Sequence, residues 1–176
     1  MATWGSRGLR GSTFEEMINM TIEQYRQNNL ALIQKIPTPI TPVEFEKNTR
    51  HITLAYFEQK STVDYIGVVQ GNPVCFDAKE SKIKTYPLSN IHEHQYEFMR
   101  DFEKQGGISF ILIYYTELNE IFYVPFRLIE HFFARSQNNG RKSFTYDELP
   151  REYQVPLKNS FIVQFLEALQ LDLNER

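Results

Sequence analysis

Apolar positions recur at helical spacing near the start of the chain, where Phe14, Met17, Ile18, Thr21 and Tyr25 fall on one face. Ser12-Thr13-Phe14-Glu15 has the form of a capping box, the hydroxyl bonding the N3 amide and Glu15 reaching back. Asn28-Asn29 stops this helix, and Leu30 to Ile36 reads as a strand. Pro37, Pro39 and Pro42 then exclude a helix and a central strand, because each fixes φ and removes a donor. Val43 to Lys60 mixes charge with a short alternating run from His51 to Phe57, and segment 37–60 is expected to project from the body. Ser61 to Lys84 reads as two strands about the turn Gln70-Gly71-Asn72-Pro73. A helix capped by Ser89 or Asn90 runs to Lys104 and ends at Gly106-Gly107. Ile108 to Tyr115 and Ile121 to Val124 are strands joined by the polar turn Glu117-Leu118-Asn119. Phe126 to Arg135 is helical, and Phe161 to Leu171 is a last amphipathic helix. This order predicts an α/β fold over residues 1–176, a single domain with a mixed sheet flanked by helices.

Composition changes this picture only at a few points. A lone cysteine, Cys75, excludes an internal disulfide and a zinc site built from thiolates. Met1 to Gly11 has no apolar run of the kind a signal peptide needs. Ile108 to Tyr115, the longest apolar stretch, falls far short of the roughly 20 residues that span a bilayer. A cytoplasmic protein with no membrane partner is therefore expected. The net charge of -3 argues mildly against nucleic acid, but the charge is unevenly spread. Arg7 and Arg10 stand without acids among the first residues, Arg135 to Lys142 is basic, and acids gather at Glu167, Asp172 and Glu175. Arg7 and Arg10 either grip phosphate or solvate a tail; with Lys47 and Arg50 they are the candidate DNA contacts.

The hairpin carries the chemistry. Pairing symmetric about Gly71-Asn72 would set position 64 against 79 and position 66 against 77, with side chains alternating between faces. Asp64, Asp77 and Lys79 then share one face, while Val74, Phe76 and Ala78 lie with Tyr65 and Val69 on the other. The second face would pack on the core and the first would gather two carboxylates and an ammonium. Cross-strand neighbours lie about 5 Å apart at Cβ and diagonal ones about 7–8 Å apart at Cα, which lets the diagonally placed Asp64 and Asp77 reach one cation. Mg²⁺ accepts one or two carboxylates with water and phosphate as its other ligands. Two carboxylates held together without a cation repel. An acid-x-Lys pattern alone is common, occurring also as Glu58-Gln59-Lys60 and Glu80-Ser81-Lys82, and a surface ion pair is its plainer explanation.

Ser61-Thr62-Val63-Asp64-Tyr65-Ile66-Gly67-Val68, Phe76-Asp77-Ala78-Lys79-Glu80 and Asn90-Ile91-His92-Glu93-His94-Gln95 resemble the successive motifs of the RecU-type Holliday junction resolvases, nucleases of the PD-(D/E)xK superfamily. Arg10 to Asn19 and Pro37-Thr38-Pro39 resemble the family's opening segments, and the likeness thins after about Phe133. The resemblance implies a restriction-endonuclease-like mixed sheet with a projecting stalk, assembled as a homodimer. It also implies paired nicking of four-way DNA junctions in recombination and repair, with Mg²⁺, or Mn²⁺ in its place, as cofactor. Thr62, Asp64, Asp77 and Gln95 match the family's magnesium-site positions, and Lys79 matches the position that stabilises the transition state. A recombinase or branch-migration machinery would be a further partner. Asp77 stands where many relatives carry Glu, and the family pattern admits either acid. Two alternatives are a non-catalytic factor that binds junctions or a recombinase, and another nuclease of the same superfold.

Other residues read more plainly. His92 and His94 are assigned solvated or supporting roles, because positions two apart on a helix do not face each other. Cys75 has no evident base beside it and is a bystander. The aromatic run from Phe122 to Phe133 is expected to be core or dimer surface.

Overall fold

The computed structural model describes residues 13–46, 49, 51–57 and 62–176. The chain runs α1 (Thr13–Gln27), β1 (Ala31–Lys35), β2 (Ile40–Glu46), β3 (His51–Phe57), β4 (Tyr65–Val69), β5 (Asn72–Ser81) and β6 (Thr85–Pro87). It continues with α2 (Glu93–Lys104), β7 (Ile108–Tyr115), β8 (Glu120–Pro125), α3 (Phe126–Gln137), β9 (Ser143–Thr145), β10 (Gln154–Val155), β11 (Leu157–Lys158), β12 (Ile162–Val163) and α4 (Leu166–Asn174). A six-stranded sheet in the order β1-β4-β5-β7-β8-β10 forms the centre. Only the β5–β7 pair in it is parallel, so the sheet is mixed as expected.

The nearly continuous apolar run of β7, broken by Ser109 alone, suits its place between β5 and β8 with both faces covered. On one face α1 and α4 enclose Phe14, Ile18, Tyr65, Phe76, Phe110 and Phe165. On the other, α2 and α3 cover Cys75, Met99, Ile111, Ile113, Phe122 and Phe132. The expectation of one apolar and one polar hairpin face is thereby corrected: both are buried, and the acids sit at the margin of a second core. The aromatic run is largely core, since Phe122, Tyr123, Phe126 and Phe132 are all buried within the chain.

Several boundaries move. The helix after the hairpin starts at Glu93 with His92 as its N-cap, while Leu88–Asn90 form a separate 3-10 turn, so neither Ser89 nor Asn90 caps it. The last helix is shorter than expected, because Ile162–Val163 pair with Leu157–Lys158 before it begins. Asp172 is not part of a surface acid cluster. It is fully buried and accepts from the Tyr123 hydroxyl at 2.7 Å, from Arg127, and from Arg176 at 3.1 Å. The C-terminal segment thus supplies the sixth strand and closes one face of the sheet.

Among the described residues β2 and β3 pair only with each other, and Ile40, Val43, Ile52, Leu54 and Tyr56 on them are exposed. Pro42 is accommodated because the ladder shifts register between Pro42 and Glu44. Ser12 of the expected capping box, and the candidate DNA contacts Arg7, Arg10, Lys47 and Arg50, lie outside the described residues. Within them, the Phe14 amide at the head of α1 donates to Glu80 Oε1 at 3.1 Å, a cap supplied by β5.

Candidate active site

The turn joining β4 to β5 consists of Gln70 and Gly71, with φ of +48° and +87°. Two left-handed residues make the tight hairpin turn whose twist matches its strands. Val69 therefore pairs with Asn72, and Tyr65 with Phe76. The expected centre at Gly71-Asn72 is thus wrong: continuing the observed register sets Asp64 against Asp77 rather than against Lys79. A two-residue change of partner leaves every side chain on its face, so Asp64, Asp77 and Lys79 still share one.

The carboxylates meet reciprocally where the ladder ends. Asp77 Oδ1 accepts from the Asp64 amide at 2.8 Å, and Asp64 Oδ2 accepts from the Ala78 amide at 3.1 Å. Asp64 is further pinned through its carbonyl, which accepts from the Ile36 amide at 2.8 Å. Asp77 is fully buried, and Lys79 Nζ stands 3.1 Å from its Oδ2. That contact pairs the charges without hydrogen-bond geometry, and among the described residues Oδ2 has no hydrogen-bond partner. A buried carboxylate oxygen balanced by an ammonium 3.1 Å away marks a place that needs positive charge, which a divalent cation can also supply. With Asp64 alongside, the donor set fits a hard divalent ion that completes its shell with water and phosphate. No group of three or more His, Cys, Asp or Glu side chains gathers among the described residues, so a cage made wholly of protein ligands is not formed there.

Gln95, a surface residue by pattern alone, is buried at 5% exposure. Its Oε1 accepts from Lys79 Nζ at 3.3 Å and from the His92 amide at 3.2 Å. The spacing His92-x-x-Gln95 is that of a helix cap answered from N3, and was the signal that could have located both the helix start and the glutamine. Because His92 lies outside the helix, its ring stacks on that of His94, with centroids 5.4 Å apart, against the expectation that the two do not face each other. Thr62 stands exposed two residues before Asp64 and is not drawn into the hydrogen-bonded cluster among the described residues. Cys75 is buried with Sγ 3.3 Å from Ser109 Oγ, and burial pushes its thiol up to about 12. It stays a neutral thiol.

Burial, then the Asp64 charge, raises the Asp77 carboxyl to about 6, against the opposing pull of Lys79 and the Asp64 amide. The folded state therefore holds the proton more tightly than the unfolded one. This favours the fold at low pH, and the advantage is lost as pH rises through about 6. Measured without metal, the parent should lose stability relative to Asp77→Asn as pH rises from about 4 to about 6, and the difference should level off above. Parallel denaturant titrations that keep a constant difference would refute the assignment.

The cavity of about 560 Å³ between α2 and α3, lined by Leu88, Tyr96, Arg100, Phe133 and Lys142, contains none of Asp64, Asp77 and Lys79. The acid pair thus lies outside this cavity.

The family described as Recombination protein U matches residues 9–171. A Holliday junction resolvase RecU of Leuconostoc mesenteroides is 40% identical over 168 residues, 92% of this chain and 81% of the relative. One from Geobacillus sp. is 40% identical over 148 residues, 82% of this chain and 74% of the relative. One from Bacillus pumilus is 43% identical over 144 residues, 80% and 69% of the respective chains.

Proposed function

The chain belongs to the RecU family, and from that premise we propose that it is a Mg²⁺-dependent endonuclease that resolves four-way DNA junctions. The reciprocal Asp64–Asp77 pair beside Lys79, with Asp77 Oδ2 left without a donor, carries the reading. Asp64 and Asp77 would hold the ion, with Thr62 and Gln95 as the further family positions. When bound, the ion supplies a lowered pKa for water and charge neutralisation at the phosphate. The residues do the rest. The amides of Asp64 and Ala78 fix both carboxylates, so that no reorganisation is needed at the moment of reaction. Water attacks phosphorus in line with the P–O bond that breaks, and the Lys79 ammonium stabilises the charge that develops on the phosphoryl oxygens. Lys79 is held at the margin of a buried surface, where its charge is less screened than in open water.

In this reading the six-stranded sheet and its flanking helices are of the restriction-endonuclease-like class, and β2–β3 is the stalk. Each chain carries one site, whereas resolution needs two symmetric nicks, and an isologous homodimer matches the two-fold symmetry of a junction. The protein would act in the cytoplasm, beside a recombinase or branch-migration machinery. Incubated with a synthetic four-way junction, it should place paired nicks with Mg²⁺ or Mn²⁺ and none in a chelator. Binding without nicking would instead make it a non-catalytic junction factor, and equal cutting of linear duplex would make it a different nuclease.

Shortening the β2–β3 hairpin should spare the fold, because these strands share no ladder with the central sheet. The ratio of junction to duplex affinity should fall by about tenfold, or about 1.4 kcal/mol. Gel-shift titration on both substrates measures this, and an unchanged ratio would remove the hairpin from junction recognition.

A further inference from the structure

Lys79 contacts Asp77 Oδ2 at 3.1 Å and Gln95 Oε1 at 3.3 Å. Both oxygens belong to residues that the proposed function assigns to the metal site. We propose that Lys79 is the internal counter-ion of the metal-free site: its ammonium neutralises Asp77 until a divalent cation loads, and is then released to the substrate phosphate. The inference rests on the metal-nuclease reading and goes beyond it, since it makes availability of the lysine a consequence of metal loading.

Three observations support it. First, Asp77 is fully buried and stands against Asp64, so the ionised pair needs a compensating cation. Lys79, with its side chain 19% exposed, is the cation at hand. Second, its contact with Oδ2 lacks hydrogen-bond geometry, so the ammonium is a loose occupant that a double charge can displace. Third, an ammonium has three donors. One donor is spent on Gln95 Oε1, and the charge stands 3.1 Å from Asp77 Oδ2, so the ammonium is held against the carboxylate and not free to turn toward a phosphate while it stays there. Gln95 has its own second anchor, the His92 amide at 3.2 Å, and remains in place when Lys79 departs.

Calorimetric titration of Mg²⁺ alone into the full chain, without DNA, tests this. Lys79→Met should bind the ion about tenfold more tightly than the parent, because no ammonium has to be expelled. Unchanged or weaker binding by a folded Lys79→Met variant overturns the proposal. Plain charge repulsion would also tighten that variant, so the position of Lys79 is read independently from crystals of the parent grown with and without Mg²⁺. The loaded form should show Nζ beyond the ion-pair limit of about 4 Å from Asp77 Oδ2. An ammonium that keeps both contacts with the ion bound overturns the proposal and leaves the nuclease reading standing. A parent that binds no Mg²⁺ in either measurement overturns both.

Discussion

Asp77→Asn should reduce junction cleavage by about three orders of magnitude or more, equivalent to about 4 kcal/mol of transition-state stabilisation. Asn keeps the volume and keeps a carbonyl oxygen for the Asp64 amide, which now donates to Asp77 Oδ1 at 2.8 Å. What it loses is the charge, and with it the oxygen that has no donor of its own. Cation binding should weaken in step, while junction binding should stay within a fewfold of the parent, because Asn removes a charge without adding bulk. Single-turnover cleavage at saturating protein separates the two, because affinity no longer enters the rate. A variant that cuts at the parental rate would show that the hairpin is not the active site.

Phe110→Ala should cost about 4 kcal/mol of stability, near the middle of the range for truncating a buried phenylalanine. Phe110 lies in a run of stacked rings that crosses the sheet. Tyr65 stacks on Phe76 at 4.7 Å, Phe76 on Phe110 at 4.7 Å, Phe110 on Tyr123 at 4.2 Å, and Tyr123 on Tyr153 at 5.7 Å between centroids. Removing the middle ring leaves a cavity under both neighbours and forfeits their stacking as well as the buried area. For a chain of this size the melting temperature should drop by about 8–16 °C. Phe110 faces α1 and α4, whereas Asp77 and Lys79 face the other side. Cleavage well below the new melting point should therefore survive. A loss of less than about 1 kcal/mol would mean that the rings do not form this core.

The two variants separate what the strands carry on their opposite faces, and that division was already readable in the residues. Alternation along a strand is a covalent property, so Asp64, Asp77 and Lys79 had to share a side as soon as the segment was extended. The conclusion survived an error in the register because the error was two residues. The partner of each position was less legible. Gly71-Asn72 is the stronger turn signal by composition, yet the turn uses Gln70 and Gly71, with a non-glycine residue held at positive φ. Such a choice is settled by the pairing of β1 with β4 and of β5 with β7 on either side, not by the turn residues alone.

The amino-acid sequence by itself determined the α/β order, the proline-marked break after β1, the hairpin, and the acid, acid and lysine on one face. It also carried the family motifs. The tertiary structure decided everything that depends on what covers that face. Asp77 and Gln95 read as polar surface positions, but α2 and α3 pack over their side of the sheet. Burial then raises the Asp77 carboxyl, turns Gln95 into an acceptor for Lys79, and leaves one carboxylate oxygen without a donor. The physical reason is that periodicity reports which side a residue faces, whereas desolvation depends on long-range packing that brings helices from distant parts of the chain over it.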